Sequence, residues 1–310
     1  MKKRFTLLVH VLIGGLLIFG CNTEGQLSSD QQNENKAQIS DSEYIRVMSF
    51  NIRYDNPNDG VNRWENRKDF VANITRLNAD IIGIQEALAN QLEDLDNLLP
   101  IPSFSFDRVG ISRDGSDRTG EFCAIYFRTD KFELLAHDTF WLSETPEEPG
   151  SIGWDASLPR IVTWAKFQQV GEGDSFYVFN THFDHRGNEA RVNSSRILLN
   201  KIDEIAGERP VIVMGDLNAL ENDDPYKILS EVERGPVQMK LLDGFYHSEQ
   251  GHVGPNSTWN GFNEIVPDRR IDFIFANPQF RVVKHRILKD TRDGRFPSDH
   301  FPVQAEVKLN

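Results

Sequence analysis

Ten residues, Pro210 to Ala219 (PVIVMGDLNA), constrain the fold of this chain more than any other stretch. A short β-branched run bounded by turn residues suits a strand covered on both faces, so Val211 to Met214 is predicted to lie inside a layered sheet. Gly215 is predicted to turn the backbone at the strand's end. Residues two apart on an extended chain face the same way, which sends Asp216 and Asn218 into one site while Leu217 packs behind them. A carboxylate beside a carboxamide sets a proton acceptor next to a neutral donor, a pairing that suits water attacking at an oxyanion.

Similar patterns recur along the chain. Strands are predicted over Tyr44 to Asn51, Ala79 to Gln85, Glu121 to Arg128, Phe132 to Trp141, Ile161 to Val170, Ser175 to Thr181 and Arg270 to Ala276, with a last one at the C-terminal end. Phe70, Ile74 and Leu77 recur at helical spacing, as do Leu88, Leu92, Leu95 and Leu99. Further helices are predicted over Glu189 to Ala206 and Tyr226 to Leu229. With 310 residues, 39% hydrophobic and 10% aromatic, the chain can bury a substantial core. It reads as one catalytic domain, residues 44–310.

The opening MKKRFTLLVHVLIGGLLIFGC has a basic start, an apolar run and a small residue before Cys21, the pattern of a secretory signal over residues 1–20. Ile18 to Cys21 also resembles a bacterial lipobox, so the expected product is exported and held to the bilayer of the cell envelope through lipidated Cys21. Residues 21–43 are polar and read as a disordered tether. Removing residues 1–20 takes away Lys2, Lys3 and Arg4 and no acid, which moves the net charge from -13 to -16. Such a surface gives no general affinity for duplex DNA, though a nuclease with a local basic cleft stays compatible. Cys123 is the one other cysteine and reads as a buried thiol.

Polar residues mark the strand ends. Asn51 closes the first strand and, taken alone, reads as a turn residue. Glu86 stands at a strand-to-helix junction, where a helix-dipole role is the plain alternative. His182, Asp184 and His185 crowd one strand end, as ligands, phosphate binders or a structural turn. Asp272 lies between apolar neighbours, and Asp299-His300 precedes the last strand. Asp272 orienting His300 would make a general acid/base unit.

Taken in order, Asn51, Gln85-Glu86, His182, Asp216-Leu217-Asn218, Asp272 and Ser298-Asp299-His300 resemble the motif series of the endonuclease/exonuclease/phosphatase superfamily. Pancreatic-type deoxyribonucleases, abasic-site endonucleases, neutral sphingomyelinases and inositol-polyphosphate 5-phosphatases share that series. The pieces FWLSETP, WDASLPR and THFDHRGNEAR are similar to a bacterial branch whose members are often lipoproteins. The resemblance implies a four-layered α/β sandwich, two mixed β-sheets face to face with helices outside, as in DNase I.

It also implies roles. Glu86 would hold Mg²⁺ or Mn²⁺, with Asn51 and Asp299 near the same ion. His182 and Asn218 would bind phosphate oxygens, Asp216 would orient or deprotonate the attacking water, and His300 braced by Asp272 would stabilise charge or protonate the leaving group. Oxygen ligands without cysteine suit a hard divalent ion rather than zinc. Abasic-site endonucleases carry an acid two residues after the Asn; here that position is Arg53, as in the deoxyribonuclease branch. Arg53, Arg118, Arg160, Asp184, Arg186 and Arg191 lie near motif loops as candidate substrate contacts, and Trp141, Trp154 and Trp259 could stack a sugar or base. The expected activity is metal-dependent hydrolysis of a phosphoester, with no obligate protein partner and with nucleic acid only as a possible substrate. A secreted nuclease and an inactive glycan- or protein-binding lipoprotein are the alternatives.

Overall fold

Val211–Asp216 is buried on both faces: Val211 and Val213 pack into one apolar cluster, and Ile212 and Met214 into another. The computed structural model describes residues 44–171, 173–231 and 240–310; the expected leader, Cys21 and tether lie outside them. Residues 43–310 form one compact unit.

In chain order the strands are β1 (Ile45–Asn51), β2 (Ile81–Gln85), β3 (Phe106–Val109), β4 (Ile125–Arg128), β5 (Phe132–Trp141), β6 (Ile161–Gln169) and β7 (Ser175–His182). They continue as β8 (Val211–Asp216), β9 (Leu242–Asp243), β10 (His252–Val253), β11 (Asp272–Ala276), β12 (Phe280–Ile287) and β13 (Val303–Leu309). One sheet has the order β10-β12-β13-β1-β2-β4-β3, the other β5-β6-β7-β8-β11-β9. Both are mixed, since β1 pairs parallel with β2 and β7 with β8 while β13 and β11 run antiparallel to their neighbours.

Helices α1 (Trp64–Asn78) and α2 (Ala89–Leu98) cover the outer face of the first sheet; α3 (Asn188–Ile205) and α4 (Asp224–Glu231) cover that of the second. A short α5 (Gly244–His247) follows β9. The result is the four-layered sandwich, with a DNase I-like arrangement. Between the sheets, Phe127, Phe132, Phe167, Phe176 and Phe280 form a chain of ring contacts with centroids 4.9–6.1 Å apart. Each such buried ring contributes about 1.5–3 kcal/mol relative to exposure.

Some local expectations change. Leu77 is 65% exposed, because α1 buries Trp64, Arg67, Val71, Ile74 and Thr75 and its inward stripe passes beside Leu77. Of Glu121 to Arg128 only Ile125–Arg128 joins the sheet; Phe122 makes isolated bridges to Ala87 and Ser112. Gly215 sits inside β8 rather than at a turn, where a Cβ would meet the Thr181 carbonyl oxygen at 2.1 Å. Glycine here permits close strand approach.

Candidate active site

Strand register assembles the site. Asp216 at the end of β8 is paired on one side with His182 of β7 and on the other with Asp272 of β11, so the three share one level across adjacent strands. Asn51, at the end of β1, reaches across from the opposite sheet. Its Nδ2 donates to Asp216 Oδ2 at 3.0 Å and to Glu86 Oε1 at 3.0 Å. Beneath it a polar layer joins the sheets: Gln85 Nε2 donates to Asn180 Oδ1 at 2.6 Å, and Asn180 Nδ2 donates to the carbonyls of Ile84 and Ala124 at 2.9 Å. None of these groups is exposed, so each needs such partners to offset lost hydration.

Asp216 is held on both oxygens, since the Asn218 backbone N–H donates to Oδ1 at 2.8 Å. Burial, with Asp272 close by, pushes its carboxyl up to about 7. His300 Nδ1 lies 2.8 Å from Asp272 Oδ2, and its Nε2 lies 3.9 Å from Asp216 Oδ2. Burial opposes a charged ring, but the Asp272 carboxylate outweighs it and holds His300 well above the ordinary histidine range. Burial, aided by Arg160 and Arg113, holds His182 well below that range. One imidazole is therefore cationic and the other neutral, their Nε2 atoms 3.9 and 3.5 Å from the same Asp216 Oδ2.

Asn218 Nδ2 lies 3.0 Å from His182 Nε2 and donates to the Phe183 carbonyl at 3.1 Å, so both its hydrogens are engaged. It can donate to a substrate only by releasing one of them. Asn218 at φ 47°, Glu86 at φ 64° and Arg53 at φ 57° adopt the left-handed region, a conformation costing on the order of 1–3 kcal/mol that clusters at functional sites. Two strained strand ends thus aim Glu86 and Asn218 at one space. Arg67, missed from the sequence, is buried in α1 and donates to the carbonyls of Ile52, Arg53 and Pro297, tying the loop after β1 to the Ser298-Asp299-His300 loop. Ser298 Oγ adds a 2.7 Å bond to the Asn51 carbonyl.

These groups open into a cleft of about 510 Å³ lined by Arg53, Tyr54, Glu86, Arg113, Glu121, Leu158, Arg160, His182, His185, Asp216, Asn218, Trp259, Asp299 and His300. Asn51 and Asp272 support it from below. His185, expected from the crowded strand end, stands on the wall, and Arg113 and Glu121 are wall residues the sequence did not single out. Arg113 pairs with Glu121 at 2.8 Å, while burial and Glu86 push Glu121 up to about 7. Arg160 is clamped between Asp184 Oδ2 at 3.3 Å and His185 Nδ1 at 2.9 Å. Asp184 is itself buried and accepts from the backbone of Ser157, Arg186 and Gly187, so it positions Arg160 and is not a lining group. Arg118, Arg186 and Arg191 do not line the cleft: Arg118 is exposed, and Arg191 donates to the Asp184 carbonyl and to Asn188 Oδ1. Trp259 lines the wall, Trp141 is buried with Nε1 on the Arg113 carbonyl, and Trp154 lies outside the lining.

Glu86 and Asp299 fit a divalent ion. Glu86 accepts only neutral donors, the Asn51 amide and the Tyr54 backbone N–H, and has no cation within 4.0 Å among the described residues. Burial, with Glu86 near, raises Asp299 above the usual carboxylate range despite His300 and Arg53. Two carboxylates lining one cleft, with Arg53 Nε 4.0 Å from Asp299 Oδ2, make a hard-oxygen pair that could hold a divalent ion. Asp216, Asp272 and His300 also offer ligand atoms within 4.8 Å of one another; His300 Nδ1 and Asp272 Oδ2 are taken up by their mutual bond, while Asp272 Oδ1 has no hydrogen-bond partner.

A family model described as the endonuclease/exonuclease/phosphatase family matches residues 48–300. The chain belongs to that family. Among solved structures it is similar to a family member from Bacteroides vulgatus, 39% identical with a TM-score of 0.79, covering 86% of this chain and 99% of the other. It is also similar to a mannosyl-6-phosphatase from Bacteroides thetaiotaomicron, 36% identical with a TM-score of 0.76 over 86% and 100%. Drosophila melanogaster Nocturnin is 23% identical over 86% of this chain and 47% of its own length. The chain thus spans about half the length of some curated relatives it matches. As an endonuclease/exonuclease/phosphatase family member it is a phosphoester hydrolase.

Proposed function

We propose that the protein is a divalent-metal-dependent phosphatase of small phosphomonoesters, phosphorylated sugars among them. The observation that carries the reading is Asp216 at the cleft floor, fixed on both oxygens and flanked in register by His182 and the Asp272–His300 pair. The size of the cleft and the likeness to a mannosyl-6-phosphatase support the substrate class. An acidic chain supports it against a nucleic-acid polymer. The export pattern before Cys21 supports an enzyme anchored at the cell envelope.

Glu86 and Asp299, with Asn51 beside them, would hold Mg²⁺ or Mn²⁺, which when bound neutralises charge on the phosphoryl group and aids departure of the leaving oxygen. Asp216, with its carboxyl near 7, is matched to take a proton from the attacking water at neutral pH. Its two hydrogen bonds, one to each oxygen, fix the carboxylate in the cleft lining. His300, kept protonated by Asp272, presents positive charge where the phosphoryl oxygens gain negative charge. Arg113 and Arg160 on the wall neutralise the remaining phosphate charge and exclude neutral analogues.

The experiment is release of product from mannose 6-phosphate, bis-p-nitrophenyl phosphate and linear DNA, with Mg²⁺, Mn²⁺ or EDTA. Metal-dependent turnover fastest on the sugar phosphate and lost in Asp216→Asn is expected. Faster cleavage of DNA, or an Asp216→Asn enzyme as active as wild type, refutes it.

A further inference from the structure

The catalytic cleft does not end at its own wall. Across His185 and Asn218 it shares lining with a second hollow of about 380 Å³, walled further by Val266, Pro267 and Asp268. That hollow in turn shares Leu220 and Asp268 with a third, of about 310 Å³. Through these shared residues the three hollows adjoin in series, from the reacting centre to a distal end where Glu221, Asn222, Tyr246, Asn256 and Arg270 meet.

The distal end is rigidly built. Arg270 is 2% exposed, with Nε on Glu221 at 2.6 Å, Nη2 on Asp243 at 2.7 Å and its guanidinium 4.5 Å from the Phe245 ring centre. Its Nη1 has no hydrogen-bond partner, an uncompensated donor in a nearly buried side chain that lines the hollow. Tyr246 donates its hydroxyl to Glu221, yet the residue is 59% exposed. An exposed aromatic fixed by its hydroxyl, beside a clamped carboxylate and two carboxamides, is the chemistry that binds a sugar ring: the aromatic face takes the C–H face, and the carboxylate and amides take the hydroxyls.

Charge selects the occupant. Along the groove beyond the cleft stand Asp223, Asp268 and Glu221, with Asp243 behind, against Arg269 and Arg270. The four acids outnumber the two arginines: Arg270 is ion-paired through Nε and Nη2 with Glu221 and Asp243, its Nη1 staying without a hydrogen-bond partner, and Arg269 lies 4.6 Å from the Trp259 ring centre. A polyanion would be repelled there, whereas a neutral hydroxylated chain would not.

We propose that the phosphoester is carried on an oligosaccharide whose neutral sugars occupy this groove, with Tyr246 as the distal stacking residue. The proposal rests on the sugar-phosphatase reading for its chemistry but not for its binding test. Two measurements separate them. First, kcat/KM is compared for mannose 6-phosphate and for mannotriose carrying the same phosphate, in wild type, Tyr246→Ala and Tyr246→Phe. Wild type is expected to prefer the trisaccharide by about tenfold, the effect of roughly 1.4 kcal/mol of added binding. Tyr246→Ala is expected to remove most of that ratio and Tyr246→Phe to keep most of it. Equal values for the two substrates in wild type, or a ratio untouched by Tyr246→Ala, overturns the groove. Second, calorimetry measures unphosphorylated mannotriose and oligothymidylate on wild type and Tyr246→Ala. Mannotriose binding weakened severalfold by the substitution supports the groove even if no sugar phosphate is hydrolysed, which would sink only the phosphatase reading. No mannotriose binding, or tighter Tyr246-dependent binding of oligothymidylate, overturns it.

Discussion

Asp272→Asn tests whether His300 works as a cation held by its neighbour. The amide keeps the shape of the side chain, and the Asp272 backbone N–H stays on Thr258 Oγ1 at 3.1 Å, so the local path of β11 is preserved. What changes is the 2.8 Å bond to His300 Nδ1, between groups 0% and 5% exposed. A bond to a charged partner is worth about 1.5–3 kcal/mol and a neutral one about 0.5–1.5 kcal/mol. The difference, about 1–1.5 kcal/mol, corresponds to roughly a five- to thirteenfold fall in kcat if it is expressed in the transition state.

The sign with pH follows from the raised pKa. The His300–Asp272 contribution to stability is fully present below the unfolded histidine value of 6.5 and is lost as pH rises through the higher folded value. In Asp272→Asn that dependence flattens, and the descending limb of the pH–rate profile moves to lower pH. The assay is steady-state hydrolysis of p-nitrophenyl phosphate from acid to alkaline pH, with circular dichroism to confirm that the variant is folded. A kcat within twofold of wild type and a descending limb that stays in place would refute the assignment.

Asn180→Ala removes the amide that joins the two sheets beneath the site and should cost about 1–3 kcal/mol in urea unfolding, with most of the activity of the remaining folded fraction lost as Gln85 shifts. His285 is held uncharged by burial, its Nδ1 2.9 Å from that of His252. With a lowered folded pKa it contributes stability above 6.5 that drains as pH falls, at about 1.4 kcal/mol per pH unit; His285→Gln should therefore flatten the melting-temperature slope below 6.5, and an unchanged slope would count against it. Mn²⁺ should raise the melting temperature of wild type and not of Glu86→Ala; an equal rise in both would remove Glu86 as a ligand.

The residues legible in the sequence are those whose position follows from the strand that carries them. Asn51, Glu86, His182 and Asp216 each stand where an apolar run stops, and those stops fall at the same end of the sandwich. Nearness along the chain misled for Arg118, Arg186 and Arg191, which flank motif loops but do not line the cleft. Arg113 and Glu121 come from a segment that leaves the sheet before β4, and no local pattern reports which way such a segment leans. β12 is not among the predicted strands: Lys284, His285 and Arg286 interrupt its apolar pattern, and His285 is buried against His252. A usable signal for the cross-sheet layer was present: Ser49, Gly83, Gln85 and Asn180 interrupt otherwise apolar strands in phase with the site residues.

That phase is why fold and site cannot be separated here. On the inner faces the series Ile45, Val47, Ser49, Asn51 runs parallel to Ile81, Gly83, Gln85 and is met by Phe176, Val178, Asn180, His182 and by Ile212, Met214, Asp216. Each begins in the apolar core and ends in hydrogen-bonded polar groups. Because the side-chain period is two, a slip of one residue in β8 would send Asp216 outward and bring Gly215 and Leu217 in. The apolar halves therefore set the register that places the polar halves. The left-handed conformations of Glu86 and Asn218 cost energy, but the strands holding them are gripped on both faces by buried apolar side chains, so the chain cannot relax them without giving up that register.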